Sequence, residues 1–256
     1  MHLTVLGCSG SLPGPNAAAS GYLVEAAGAR LVVDLGNGTL AALLAHQDPF
    51  ELDAVLFSHL HPDHCADFSA LTVLRRYHPR PPVDPRAHRL PVYGPSDAAD
   101  RFAVAYAPDA GEAADTDLSD VFTFHTLATA PEPIAGYTVT AARVDHPCEA
   151  YGMRIERDGR SLCYTGDSAL CDALVTLATG VHTLLAEASW TEAPDRPANL
   201  HMSGRQAGEL AAKAGVGRLV VTHVLPWADK AAVLAEARAA FAGDVVLAEP
   251  GVVYDV

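Results

Sequence analysis

The chain is poor in lysine. Lys213 and Lys230 are its two lysines, and Lys and Arg together number 17 against 31 Asp and Glu, a formal charge of -14. This balance argues against an open basic face for nucleic acid, because nonspecific binding depends on neutralising phosphates with Lys and Arg. Cysteine is also scarce, and its count is odd: Cys8, Cys65, Cys148, Cys163 and Cys171, with no C-x-x-C pair. That argues against a disulfide framework and for free thiols in a reducing compartment. No apolar run approaches the roughly 18 residues of a membrane-spanning helix. The opening Met1-His2-Leu3-Thr4-Val5-Leu6-Gly7 lacks the basic n-region and apolar core of a signal peptide. The expectation is a cytoplasmic chain with no membrane partner. Disorder is excluded from the other side, since 50% of the residues are hydrophobic and only 19% charged. There is no internal repeat, low-complexity tract or linker, so one domain spanning residues 1–256 is expected.

Hydrophobic patterning mixes short strands and helices along the whole length. Leu3–Leu6, Tyr22–Glu25, Arg30–Leu35, Ala54–Phe57, Pro91–Tyr93, Val121–Thr126, Tyr137–Val144, Tyr151–Glu156, Ser161–Thr165, Thr183–Ala186, Leu219–Thr222, Val245–Leu247 and Val252–Tyr254 read as strands. Thr39–His46, Ala66–Tyr77, Asp97–Tyr106, Cys171–Ala178, Ser203–Ala214 and Lys230–Phe241 read as helices. Ser203 and Gln206 form a capping-box pattern, and Gly215 closes that helix. Asp109–Asp120 is acidic without apolar period and reads as an exposed loop. Hairpins occur beside strand-helix alternation, so the pattern predicts a layered α/β domain with mixed sheets.

Histidine is plentiful, and its spacing carries the chemistry. His59-x-His61-x-Asp63-His64 places four ligand-type residues directly after a buried strand. Three imidazoles and a carboxylate suit Zn²⁺, Mn²⁺ or Fe²⁺. His146, Asp167 and His223 each follow another apolar strand, so sheets that converge their carboxyl ends would gather all seven. Two ions about 3.5–4 Å apart lower the pKa of a shared water and polarise a phosphoryl or carbonyl oxygen. His201, just before the capped helix, is the expected proton donor to a leaving oxygen. Asp63 is expected to serve both as ligand and as catalytic residue. Glu187, at the end of Leu184-Leu185-Ala186, is read as a carboxylate that orients a histidine. His2, His46, His78, His88, His125 and His182 lack this strand-end context. Cys65 and Cys163 are read as packing residues, and Arg75-Arg76 as a solvated helix face. Trp190 and Trp227 are read as core or rim packing. Gly7–Gly14 has no G-K-[ST], which excludes a Walker phosphate loop.

These residues resemble the metallo-β-lactamase superfamily over nearly the whole chain, within it the branch of ribonuclease Z-like phosphodiesterases. The resemblance implies a four-layer αββα sandwich. It implies one metal on His59, His61 and His146, another on Asp63, His64 and His223, and Asp167 bridging. The branch has a functional histidine at His201, usually followed by Ser-Thr; Met202-Ser203 departs slightly. Leu6-Gly7-Cys8-Ser9-Gly10-Ser11, Ser58-His59-Leu60-His61, Arg75-Arg76-Tyr77-His78-Pro79, Tyr93-Gly94-Pro95-Ser96-Asp97 and Glu187-Ala188-Ser189-Trp190 are similar to the atypical class II cyclic nucleotide phosphodiesterases of actinobacteria. That implies hydrolysis of 3′,5′-cyclic AMP, and of cyclic GMP as a further substrate, by a homodimer; Ala66–Tyr77, apolar on one face and ending in a Pro-rich loop, is the expected dimer region. The competing readings are a tRNA 3′-end endonuclease, a thioester or lactam hydrolase, and a non-enzymatic binding domain. The tRNA enzymes carry a long arm between the third histidine ligand and the bridging aspartate. Here one hairpin separates His146 from Asp167, and the charge opposes gripping a polyanion. A small phosphodiester substrate is therefore expected, with nucleic acid disfavoured.

Overall fold

The computed structural model describes residues 1–256. The first half supplies β1 (His2–Gly7), β2 (Gly21–Ala26), β3 (Ala29–Leu35), β4 (Ala54–Leu56), β5 (Leu90–Gly94) and β6 (Phe122–Thr126). The second half supplies β7 (Glu132–Ile134), β8 (Tyr137–Arg143), β9 (Tyr151–Arg157), β10 (Arg160–Tyr164), β11 (Thr183–Glu187), β12 (Arg218–Thr222) and β13 (Asp244–Leu247). A last strand, β14 (Val253–Asp255), returns to pair with β1. The strands form two sheets, ordered β14-β1-β2-β3-β4-β5-β6 and β13-β12-β11-β10-β9-β8-β7. Each is mixed: a meander of antiparallel strands leads into a parallel run, β3 to β6 in one and β10 to β13 in the other. The β2–β3 turn puts Ala27 at φ 46° and Gly28 at φ 83°, the left-handed pair that a two-residue hairpin needs.

Alternation along the strands sorts the side chains into three cores. Leu3, Val5, Tyr22, Val24, Leu31 and Val33 face the other sheet, where they meet Tyr137, Val139, Met153 and Ile155. The intervening Leu23, Val32 and Leu35 face α1 (Thr39–His46), α3 (Phe68–Tyr77) and α4 (Ala98–Tyr106), through Leu43, Phe68, Leu71 and Phe102. On the far side, Leu184, Leu219 and Val221 pack against α6 (Asp172–Ala178), α7 (Gly204–Ala214) and α8 (Lys230–Ala240). Each such fully buried side chain is worth about 1.5–3 kcal/mol. The result is the four-layer αββα sandwich expected from the resemblance. No helix is long and apolar enough to cross a membrane.

Several local expectations are corrected. The segment after His61 is not a plain loop: Pro62–Cys65 forms a one-turn helix, α2, with proline at its start. The acidic Asp109–Asp120 stretch contains another, α5 (Ala110–Ala113), capped by the Asp109 carboxylate. The helix read from Ala66 begins at Phe68. β7 was not expected at all. Arg75 is not solvated: it is buried and donates to the carbonyls of Val121 and His88. Trp227 is 69% exposed, so it is not a packing residue. The capping box at Ser203 and Gln206 has both its hydrogen bonds, and Gly215 ends α7 in the left-handed region.

Because β8 runs with β10, every strand that precedes a candidate ligand presents its carboxyl end at the same edge of the sandwich. Two glycines let the loops at that edge close up. A Cβ on Gly36 would lie 1.9 Å from the Asp63 carbonyl, and one on Gly10 would lie 2.3 Å from that of His223.

Candidate metal centre

All seven expected ligands meet at this edge. The nitrogens of His59, His61 and His146 lie within 4.8 Å of one another, and so do the ligand atoms of Asp63, His64, Asp167 and His223. Asp167 faces both groups: its carboxylate is 3.8 Å from His59 Nε2, 3.2 Å from His64 Nε2 and 3.3 Å from His223 Nε2.

Counting protons shows that these groups fit a cation. His146 Nδ1 lies 2.9 Å from the Leu200 carbonyl, which only accepts, so the proton is on Nδ1 and the inward Nε2 carries a lone pair. The Ser58 hydroxyl gives its one proton to Asp34, so it accepts from His59 Nδ1, and His59 Nε2 is again a lone pair. Ser189 Oγ donates to Glu187 and therefore accepts from His223 Nδ1. His61 Nδ1 has at most one proton to share between two lone pairs, His59 Nε2 at 3.0 Å and His146 Nε2 at 3.3 Å. His223 Nε2 faces Asp63 Oδ2 at 3.1 Å as acceptor against acceptor. Such lone pairs repel unless a positive charge lies between them. The buried Asp167 Oδ1 has no hydrogen-bond donor. Burial and the neighbouring His64, His146 and His61 hold the His59 pKa well below its usual value, which keeps it a neutral ligand. His64 goes the other way: burial opposes its charge, but Asp167 and Asp34 outweigh burial and raise its pKa. The His/Asp cluster is thus able to bind metal ions.

Around the ligands sits a shell that the sequence reading caught in one place and missed in another. Glu187, fully buried, accepts from His201 Nδ1 at 2.9 Å, from the Ser168 amide and from Ser189 Oγ. Burial would lower the His201 pKa, but the Glu187 and Asp167 carboxylates outweigh it and hold it at about 9. The missed residue is Asp34. It is fully buried at φ 59° and accepts from Ser58 N, Ser58 Oγ, Tyr164 OH and His64 Nδ1, all within 2.8 Å. Its signal was present in Val32-Val33-Asp34-Leu35, an acid ending an apolar strand, the same rule that found Asp167 and Glu187. Cys163 is core packing, and Cys65 donates to the Leu60 carbonyl. Trp190 stands edge-on to His201, with ring centroids 5.2 Å apart.

Two mixed sheets packed face to face, with a histidine- and aspartate-lined metal-binding cluster at their common carboxyl edge, define a metal-dependent hydrolase. Residues 29–224 match the beta-lactamase superfamily domain, and the chain belongs to that superfamily. It is 46% identical over 248 residues to the uncharacterized protein Rv1339 of Mycobacterium tuberculosis, covering 96% of this chain and 88% of the relative. It is 31% identical over 250 residues to a ribonuclease Z of Mycobacterium bovis, covering 88% and 86% of the two chains. The crystal structure of the metallo-beta-lactamase fold protein YhfI from Bacillus subtilis superposes with a TM-score of 0.84 at 28% identity, covering 99% of this chain and 98% of that one.

Proposed function

We propose that the protein is a binuclear phosphodiesterase that opens 3′,5′-cyclic AMP to the nucleoside monophosphate. His59, His61 and His146 would hold one divalent ion, Asp63, His64 and His223 the other, with Asp167 between them; zinc suits this donor set best, with manganese or iron as alternatives. Bound metals would supply an activated water and polarise the phosphoryl oxygen. The chain's own residues do the rest. Asp63 sets one wall of the reacting centre, and Glu187 fixes His201 with its proton on Nδ1, which turns Nε2 toward the leaving oxygen. A protonated His201 can deliver a proton there.

The observation that carries this reading is the buried Asp167 carboxylate set between two ligand groups beside the Glu187–His201 pair. A phosphodiester substrate is supported by the ribonuclease Z relative, whose name assigns it to RNA cleavage. A small substrate is supported by the acidic chain and by the simple β9–β10 hairpin between His146 and Asp167. The five cysteines are free thiols, which suits a cytoplasmic location. The homodimer proposed through α3 would cover Val73 and Tyr77, which are 49% and 68% exposed. Light scattering at micromolar concentration tests it, and a monomer rules it out.

The second reading is tRNA 3′-end cleavage, favoured by that same 31% identity. Metal-reconstituted protein should be assayed on cyclic AMP, cyclic GMP, cyclic di-AMP, bis(p-nitrophenyl) phosphate and a pre-tRNA. Metal-dependent turnover of cyclic AMP, with weak pre-tRNA binding of shallow salt dependence, is the expected result. Efficient pre-tRNA cleavage without turnover of any cyclic nucleotide would reverse the ranking.

A further inference from the structure

Beside His201 lies a cavity of about 390 Å³. It is lined by residues of the connection from Trp190 to His201 and by Ala169 and Leu170, with Asp145 paired to Ala169. The volume is at the low end of small-molecule pockets, which run from about 300 to 1,000 Å³. That is room for one nucleoside and not for a folded polynucleotide.

The connection is pinned at both ends and free in the middle. The Trp190 carbonyl accepts from Gly204 N, and Ser189 N donates to the Met202 carbonyl. Glu236 accepts from the amides of both Glu192 and Arg205, and Ser203 Oγ donates to Glu192. Between these anchors, residues 194–199 are exposed. Arg196 folds back so that its guanidinium lies 5.3 Å from the centroid of the Trp190 ring, while its Nε donates to the Thr191 carbonyl. Trp190 is therefore oriented by the perpendicular His201 ring and by Arg196 over its face. Gln206 Oε1 is taken by the capping box, which leaves its Nε2 as a donor at the cavity wall.

We infer that this cavity is the nucleobase subsite, with Trp190 and Arg196 forming the stacking wall that selects a purine-bearing cyclic phosphate over a base-free one. The inference rests on the phosphodiesterase reading for the phosphate end of the substrate. A base has a polarisable face and edge groups that both donate and accept. Arg196 covers one face of the Trp190 indole, so a base stacks on the other indole face or on the outer face of the guanidinium, with Gln206, Asn199 and Asp145 for the edge. Its position next to His201 would put the sugar-phosphate at the ligand cluster when the base is seated.

Two measurements test this. The chain has two tryptophans, so Trp227→Phe leaves Trp190 as the sole indole reporter. Adenosine, which carries no phosphate, should quench that fluorescence saturably, and Arg196→Ala should weaken its binding about 5-fold or more. Absence of saturable quenching overturns the subsite. The second measurement is a cycle of two deletions: Trp190→Leu in the protein, and the base in the substrate, using methyl riboside 3′,5′-cyclic phosphate. Trp190→Leu should raise KM for cyclic AMP about 10-fold, with kcat changed much less. The same variant should barely alter the KM of the base-free substrate, since the two deletions remove one contact. Equal KM effects on both substrates overturn the proposal. Saturable adenosine quenching without turnover of any cyclic phosphate would support the subsite and refute the cyclic nucleotide reading, so the two failures are distinguishable.

Discussion

The two halves of the sandwich build the candidate metal centre in different ways. The first half delivers His59, His61, Asp63 and His64 from one connection after β4, tightened by a one-turn helix. The second delivers one residue per strand end: His146 after β8, Asp167 after β10, Glu187 at the end of β11 and His223 after β12. A compact motif can take shape from local geometry. Scattered ligands are brought together only when the second sheet is paired and packed on the first. The cluster therefore reports on the interface between the sheets, and metal bound there would be linked to the docking of one half on the other.

The sharpest way to break this relation is Asp167→Ala. It removes the second-half carboxylate that faces both ligand groups, so metal analysis should show loss of at least one ion, and turnover should fall by about 10⁴-fold or more. Full activity with metal retained would mean that the halves are not joined through this residue. His201→Ala comes next. Its kcat should drop about 10²–10⁴-fold with metal content unchanged, and by less on a p-nitrophenol ester, whose leaving group needs little protonation. An acid works while protonated, so the wild-type rate should fall as pH rises through the His201 pKa. Glu187 and Asp167 hold that pKa at about 9, bound cations would lower it, and the limb should lie below that value and vanish in the variant. Equal losses on both leaving groups would argue against the acid role.

Asp34→Ala tests the first half. It leaves every ligand in place but strips His64 of its partner, so metal affinity by titration should weaken about 10–100-fold. An unchanged affinity would show that the β4 connection holds its own shape. The smallest effect is thermal. Chelation removes a ligand of the folded state worth about 2.7 kcal/mol at 100 times Kd, so the melting temperature should drop by about 5–10 °C. A melting point insensitive to chelator would uncouple the ions from sheet docking.

The same contrast explains what could be read without coordinates. The first-half cluster is visible in six residues. The second-half ligands are visible only through a rule, that an apolar strand ends in a ligand-type residue. Applied evenly, the rule would also have found Asp34. It was missed because its four contacts reach Ser58, His64 and Tyr164, which lie 24, 30 and 130 residues away. The α7 capping box was legible because its whole interaction spans three residues. α5 was not, since it buries no side chain and shows no apolar face. β7 escaped because three residues with a central Pro133 give no strand period, and proline is tolerated there only because the strand is a sheet edge.

Two of the buried residues at the centre have left-handed backbones, Asp34 at φ 59° and His223 at φ 57°. Neither is glycine, and each such conformation costs about 1–3 kcal/mol. Glycine would relieve both positions and abolish what their side chains do. Selection for thermal robustness alone would push residue 223 toward glycine, whereas selection for turnover keeps it histidine. A library screened for folding without metal should therefore enrich His223→Gly, and the same library screened for hydrolysis should purge it.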